Sequence, residues 1–102
     1  MTRVSFCREG ASCRFSCVGH AFDERVCAAA SALCMALTGR LETLEEAGQA
    51  VIEEAVAVPG ELRLRFRALL KEDLPGVLSA VETVLAGFLA VERLYPGELE
   101  VE

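Results

Sequence analysis

Basic charge, long apolar runs and paired cysteines are all in short supply in this chain, and each shortage removes a class of function. Ten Lys and Arg residues face sixteen Asp and Glu, a net charge of −6 with a pI near 4.8. Phosphate backbones are gripped by basic surfaces, so nucleic acid is not expected as a direct partner, whereas a basic peptide or protein is compatible with this balance. The longest uninterrupted apolar run is Val84–Val91, far short of the ~20 residues that cross a bilayer. The opening MTRVSFCREG has no apolar stretch after its charge, so neither a secretory leader nor a membrane partner is expected, and a cytoplasmic location is. Cysteines number five, an odd count which, in a reducing compartment, argues against a structural disulfide framework. There is one histidine, His20, and no asparagine. What remains, 53% apolar and 25% charged over 102 residues, is the composition of a single domain spanning 1–102, with room for a two-layer core and little more.

The pattern of what is present predicts the elements. Thr2–Cys7 and Cys13–Val18 both alternate and flank a Gly10 turn, which reads as a β-hairpin. With the turn centred on Glu9-Gly10, Val4 would face Phe15 and Phe6 would face Cys13. Cys17 joins that apolar side, while Cys7 falls on the other. A helix follows from Glu24 to about Glu46, with Asp23 as its N-cap and an apolar stripe of Ala30, Leu33, Leu37, Leu41 and Leu44. Gly39 within it marks a bend or an early end. Val51–Val58 and Glu61–Arg67 form a second hairpin turning at Pro59-Gly60, with Leu62, Leu64 and Phe66 on one face and three arginines on the other. Pro75 and Tyr95-Pro96-Gly97 bracket a second helix, Leu74 to about Leu94. Its wide apolar surface fits packing either against the first helix or against a second subunit. Leu99 and Val101 could add a last strand. The order ββαββα(β) is that of an α+β two-layer sandwich with a mainly antiparallel sheet.

Chemistry could come from two groupings. Cys13, Cys17, His20 and Cys27 carry zinc-type ligands, but residues four apart on a strand lie ~13 Å apart, too far to share one ion, so no metal or other cofactor is expected. Cys27, in the first turn of a helix, sits where the dipole and free N–H groups favour a thiolate. His20 is joined to it by the short connection AFDERV, which lets the imidazole swing back toward the helix start as general base and acid. Ser31 lies one turn further along the same face. The plainer reading, a Cys that merely packs, stays open beside this one. Cys34 reads as core, and Arg63, Arg65, Arg67 and Lys71 read as a solvated face.

Gly19-His20-Ala21 together with Val26-Cys27-Ala28-Ala29 and Ser31-Ala32-Leu33 resembles the ribosomal-processing cysteine protease family, Prp, and the element order is similar over nearly the whole chain. The resemblance implies a dimeric cytosolic endopeptidase that trims the N-terminal extension of a large-subunit ribosomal protein. It makes Cys27 the nucleophile and His20 its partner, with Ser31 and Gly19 in support. Members of the family have a longer, glycine-rich connection between histidine and cysteine, and Asp three residues before the cysteine; here Glu24 stands there, beside Asp23, and either carboxylate could orient the imidazole. The alternative is a dimeric interaction protein of the same fold that assists ribosome assembly without turnover, with the arginine face as its contact surface.

Overall fold

A computed structural model describes residues 1–102. Strands β1 (Thr2–Glu9) and β2 (Ser12–Val18) lead into helix α1 (Glu24–Glu46); β3 (Ala50–Val58) and β4 (Glu61–Ala68) lead into α2 (Leu74–Leu94), and β5 (Leu99–Val101) closes the chain. The sheet order is β3-β4-β2-β1-β5. All neighbours are antiparallel except β5, which runs parallel to β1. The α+β two-layer sandwich inferred from the pattern is the observed fold.

The first hairpin differs in register from the sequence reading. Glu9 pairs with Ser12, so the turn is Gly10-Ala11, Val4 faces Cys17, and Phe6 faces Phe15. Gly10 has φ +63°, the first central position of a II′ turn, whose twist matches that of its strands. A slip of two residues preserves which face each side chain occupies. Val4, Cys13, Phe15 and Cys17 are therefore buried, and Cys7 is exposed, as the alternation implied.

The second hairpin turns at Pro59-Gly60, between paired Val58 and Glu61. Proline's negative φ excludes a primed turn, and Gly60 at φ +78° completes a type II arrangement, which splays hairpin strands. A bulge between Ile52 and Glu54 shifts the register of β3. Strict alternation would have turned Glu54 inward; with the bulge it pairs opposite Arg65, and both Glu53 and Glu54 reach that guanidinium at 3.9 and 4.0 Å. The inward positions beyond the bulge pass to Ala55 and Ala57, opposite Leu64 and Leu62.

Helix α1 is capped as expected, the Asp23 side chain accepting from the Arg25 N–H. It passes through Gly39 and stops at Gly48 instead. Gly48 at φ +73° lets its own N–H donate to the Glu45 carbonyl and that of Gln49 to the Leu44 carbonyl, a Schellman ending. Leu37, Leu41 and Leu44 of the predicted stripe are buried; Leu33 is half-buried and seats on Gly87 of α2, where a Cβ would meet its Cδ2 at 2.6 Å. Helix-on-helix packing thus absorbs part of α2's apolar surface. By length and composition α2 could span a bilayer, a property the short apolar run did not suggest, but Val77, Val81, Val84 and Phe88 are buried in the core and Phe88 packs on Phe15 with ring centroids 6.0 Å apart.

Candidate active site

Because β4 lies beside β2, the Pro59-Gly60 turn comes alongside the end of β2, and Gly19 N–H donates to the Gly60 carbonyl at 2.8 Å. Gly19 itself is at φ +103°, and a Cβ there would collide with the Met1 carbonyl. This corner reverses the chain into α1 and sets His20, which is exposed, against the face of Gly60, where a Cβ would run into the imidazole.

Between α1 and the β3–β4 hairpin runs an open groove of about 800 Å³. Its floor includes Cys17 and Leu62; one wall is α1, the other Ala57, Val58 and the turn. His20 and Cys27 both line it, at the end where α1 begins, and Ser31 follows on the α1 wall. Inward alanines on β3 and small residues on α1 leave the space unfilled. Glu42 and Glu61 are its charged residues, and no Lys or Arg lines it.

The Cys27 thiol donates to the Ala21 carbonyl at 3.6 Å and not to the imidazole. Asp23 is bonded to Arg25 and not to the histidine: its carboxylate takes a bidentate contact from Arg25, 3.1 Å from Nε and 2.8 Å from the terminal nitrogen, which holds the Asp23 carboxyl below the usual carboxylate range. Arg25 in turn lies over the Tyr95 ring, 5.3 Å from its centroid. Glu24 is exposed and does not line the groove. The first-turn N–H groups are engaged as well, that of Arg25 on the Asp23 carboxylate and those of Val26 and Cys27 on the Asp23 carbonyl at 3.1 and 3.3 Å. As oxyanion donors they would have to leave Asp23.

Cys17 is buried and Cys34 packs against the core, as the pattern implied, and both also line the groove. Cys17 rises from the floor and Cys34 descends from α1. The Cys34 thiol directed at the Cys17 sulfur holds Cys17 below the ordinary thiol value; that contact, with burial, pushes Cys34 far above it. Cys13, deeper in the sheet, is raised by burial. The readable signal was a second stripe on α1, Cys27, Ser31, Cys34, Thr38 and Glu42, spaced by three and four beside the leucines. No cluster of three or more metal-type side chains is present.

This is a two-layer α+β domain with a thiol and an imidazole at the head of one open groove. No family model matches the sequence, and no curated protein matches it. Solved structures do. The essential ribosomal processing protease Prp from S. aureus, in complex with a covalently linked product peptide, superimposes with a TM-score of 0.71 at 19% identity, over 100% of this chain and 98% of that one. The same protease with a substrate peptide gives a TM-score of 0.71 at 16% identity and the same coverage. SMU.848 from Streptococcus mutans gives 0.68 at 20% identity, over 100% of this chain and 92% of that one. The chain has the fold of these proteins from end to end.

Proposed function

We propose that this chain is a Prp-type cysteine endopeptidase that removes the N-terminal extension of a large-subunit ribosomal protein. The observation that carries the reading is the placement of Cys27 and His20 on one open groove, in a fold shared over the full chain with a protease that holds peptides. The helix dipole supports a Cys27 thiolate. His20 takes the Cys27 proton and the sulfur attacks the scissile carbonyl carbon. The imidazolium gives that proton to the departing amine as the C–N bond breaks, and water, losing a proton to His20, then hydrolyses the thioester and frees the Cys27 sulfur. Because no carboxylate holds the imidazole, His20 is free to leave Gly60 and approach the sulfur. The acidic lining suits a peptide with basic residues near the cut. A homodimer in the cytoplasm belongs to the same proposal, and exposed Phe22 and Leu94, at 95% and 73%, are apolar surface that a second copy could cover.

A non-turnover interaction protein is the second reading, favoured by the Cys27 thiol resting on Ala21 rather than on His20. Alkylation of each cysteine against pH, followed by mass spectrometry in the native chain and in His20→Ala, separates the two. The protease reading expects Cys27 to be alkylated faster than the other four thiols, and to lose that advantage without His20. Incubation with peptides spanning ribosomal-protein N-termini should then yield two fragments and a transient acyl adduct on Cys27, both absent in Cys27→Ala. An ordinary Cys27 that ignores His20, with no cleavage, overturns the protease reading and leaves the second one standing.

A further inference from the structure

The groove holds a second pair of sulfurs with no part in the proposed hydrolysis. We propose that Cys17 and Cys34 are a redox-modification site, closing into a reversible disulfide across the groove floor when the chain meets a peroxide.

Placement singles out this pair. Cys17 is on the inward face of β2, between Val4 of β1 and Leu62 of β4, and only 8% exposed, while Cys34 is half-buried on α1; both line the same open groove. A disulfide needs Cα atoms within ~7 Å. Cys13 is four strand residues from Cys17, ~13 Å away. Cys27 is seven helical residues from Cys34, ~10.5 Å along α1. Cys7 is exposed on the helix-free side of the sheet. The Cys17 and Cys34 thiols, one from each layer, are neighbours.

The chemistry balances with a peroxide as the oxidant. The Cys17 thiolate attacks one peroxide oxygen, the O–O bond breaks, and the leaving hydroxide takes a proton to become water. Cys17 is then a sulfenic acid. The Cys34 sulfur attacks the Cys17 sulfur, the S–O bond breaks, and a second water leaves with the Cys34 proton. Two electrons pass from the two thiols to the peroxide, and a dithiol reductant reverses the change by exchange. The contact that eases Cys17 ionisation leaves Cys34 protonated, so attacking thiolate and resolving thiol are already distinct. Closure would tie β2 to α1 two helical turns from Cys27, fixing the floor on which a peptide would lie.

The test uses the full chain, a small molar excess of hydrogen peroxide, and alkylation under denaturing conditions. Trypsin places Cys7, Cys13 and Cys17 on separate peptides and Cys27 with Cys34 on one; fragmentation assigns the linked sulfur within it. The expected product links Cys17 to Cys34, leaves Cys7, Cys13 and Cys27 outside any disulfide, and returns five alkylated thiols after dithiothreitol. In Cys34→Ser, Cys17 should stop at a sulfenic acid trapped by dimedone, and in Cys17→Ser, Cys34 should stay alkylatable. A link between any other pair, or Cys17 and Cys34 alkylated equally with and without peroxide, overturns the proposal. None of these readouts depends on peptide cleavage, so the result is independent of the protease reading.

Discussion

At the scale of single residues, the site depends on Gly60 as much as on the two reactive side chains. It holds φ +78°, and the imidazole of His20 occupies the space a Cβ would need. Gly60→Ala therefore carries a backbone cost of about 1–2 kcal/mol and pushes His20 off its resting place. The expected outcome is a lower Tm together with a Cys27 alkylation rate altered in the same pH range as in His20→Ala. Equal rates in Gly60→Ala and the native chain would show that the imidazole's position has no bearing on Cys27. Gly39 is the opposite case, a glycine with nothing within 4 Å of a Cβ and no positive φ. Gly39→Ala should stabilise α1 by up to about 1 kcal/mol, read as a rise in Tm of several degrees; a fall would mean that Gly39 serves a contact the isolated chain does not display.

At the scale of elements, much was legible because each decision was local. Asp23 before an apolar stripe, Pro75 at a helix start and Pro59-Gly60 between alternating runs each act within a few residues, and the helices fall where those signals put them. The hairpin register was misplaced by two residues, but parity protected the face assignments. Gly39 ends nothing: α1 runs to Glu46 as its apolar stripe predicted, because a glycine's helix penalty is smaller than the gain from burying Leu41 and Leu44 beyond it. The bulge at Glu53 was not readable, since it answers a need created by a neighbouring strand: keeping Glu54 opposite Arg65 and out of the inner face. The cap makes a pH prediction. Arg25 depresses the Asp23 pKa in the folded chain, so the stabilisation is complete above the unfolded value of ~3.9 and is lost as pH falls through the lower folded value. Asp23→Asn keeps a capping oxygen and removes the charge. The Tm difference between native and variant should be constant near neutrality and shrink to nothing in strong acid; a difference that persists there would assign it to the cap alone.

At the scale of the whole molecule, the groove is a product of sheet order, which no local pattern states. Cys27 and His20 could be paired on the page because only AFDERV separates them. The opposite wall, Ala57 to Leu62, arrives only because β4 crosses to pair with β2. The space itself is kept by small inward residues on β3 beyond the bulge and by the polar stripe of α1, where a packed core would have placed leucines. Ala57 pairs opposite Leu62, lines the groove, and is exposed, so a larger side chain there has open space to enter instead of a packed interior to disrupt. Ala57→Phe should leave folding intact while narrowing the path along α1. Rates at Cys27 should fall more for a bulky maleimide than for iodoacetamide, with exposed Cys7 on the other side of the sheet as the internal reference. If the ratio of the two rates at Cys27 is unchanged relative to Cys7, the thiol is reached from elsewhere, and the groove cannot be the channel through which a peptide meets it.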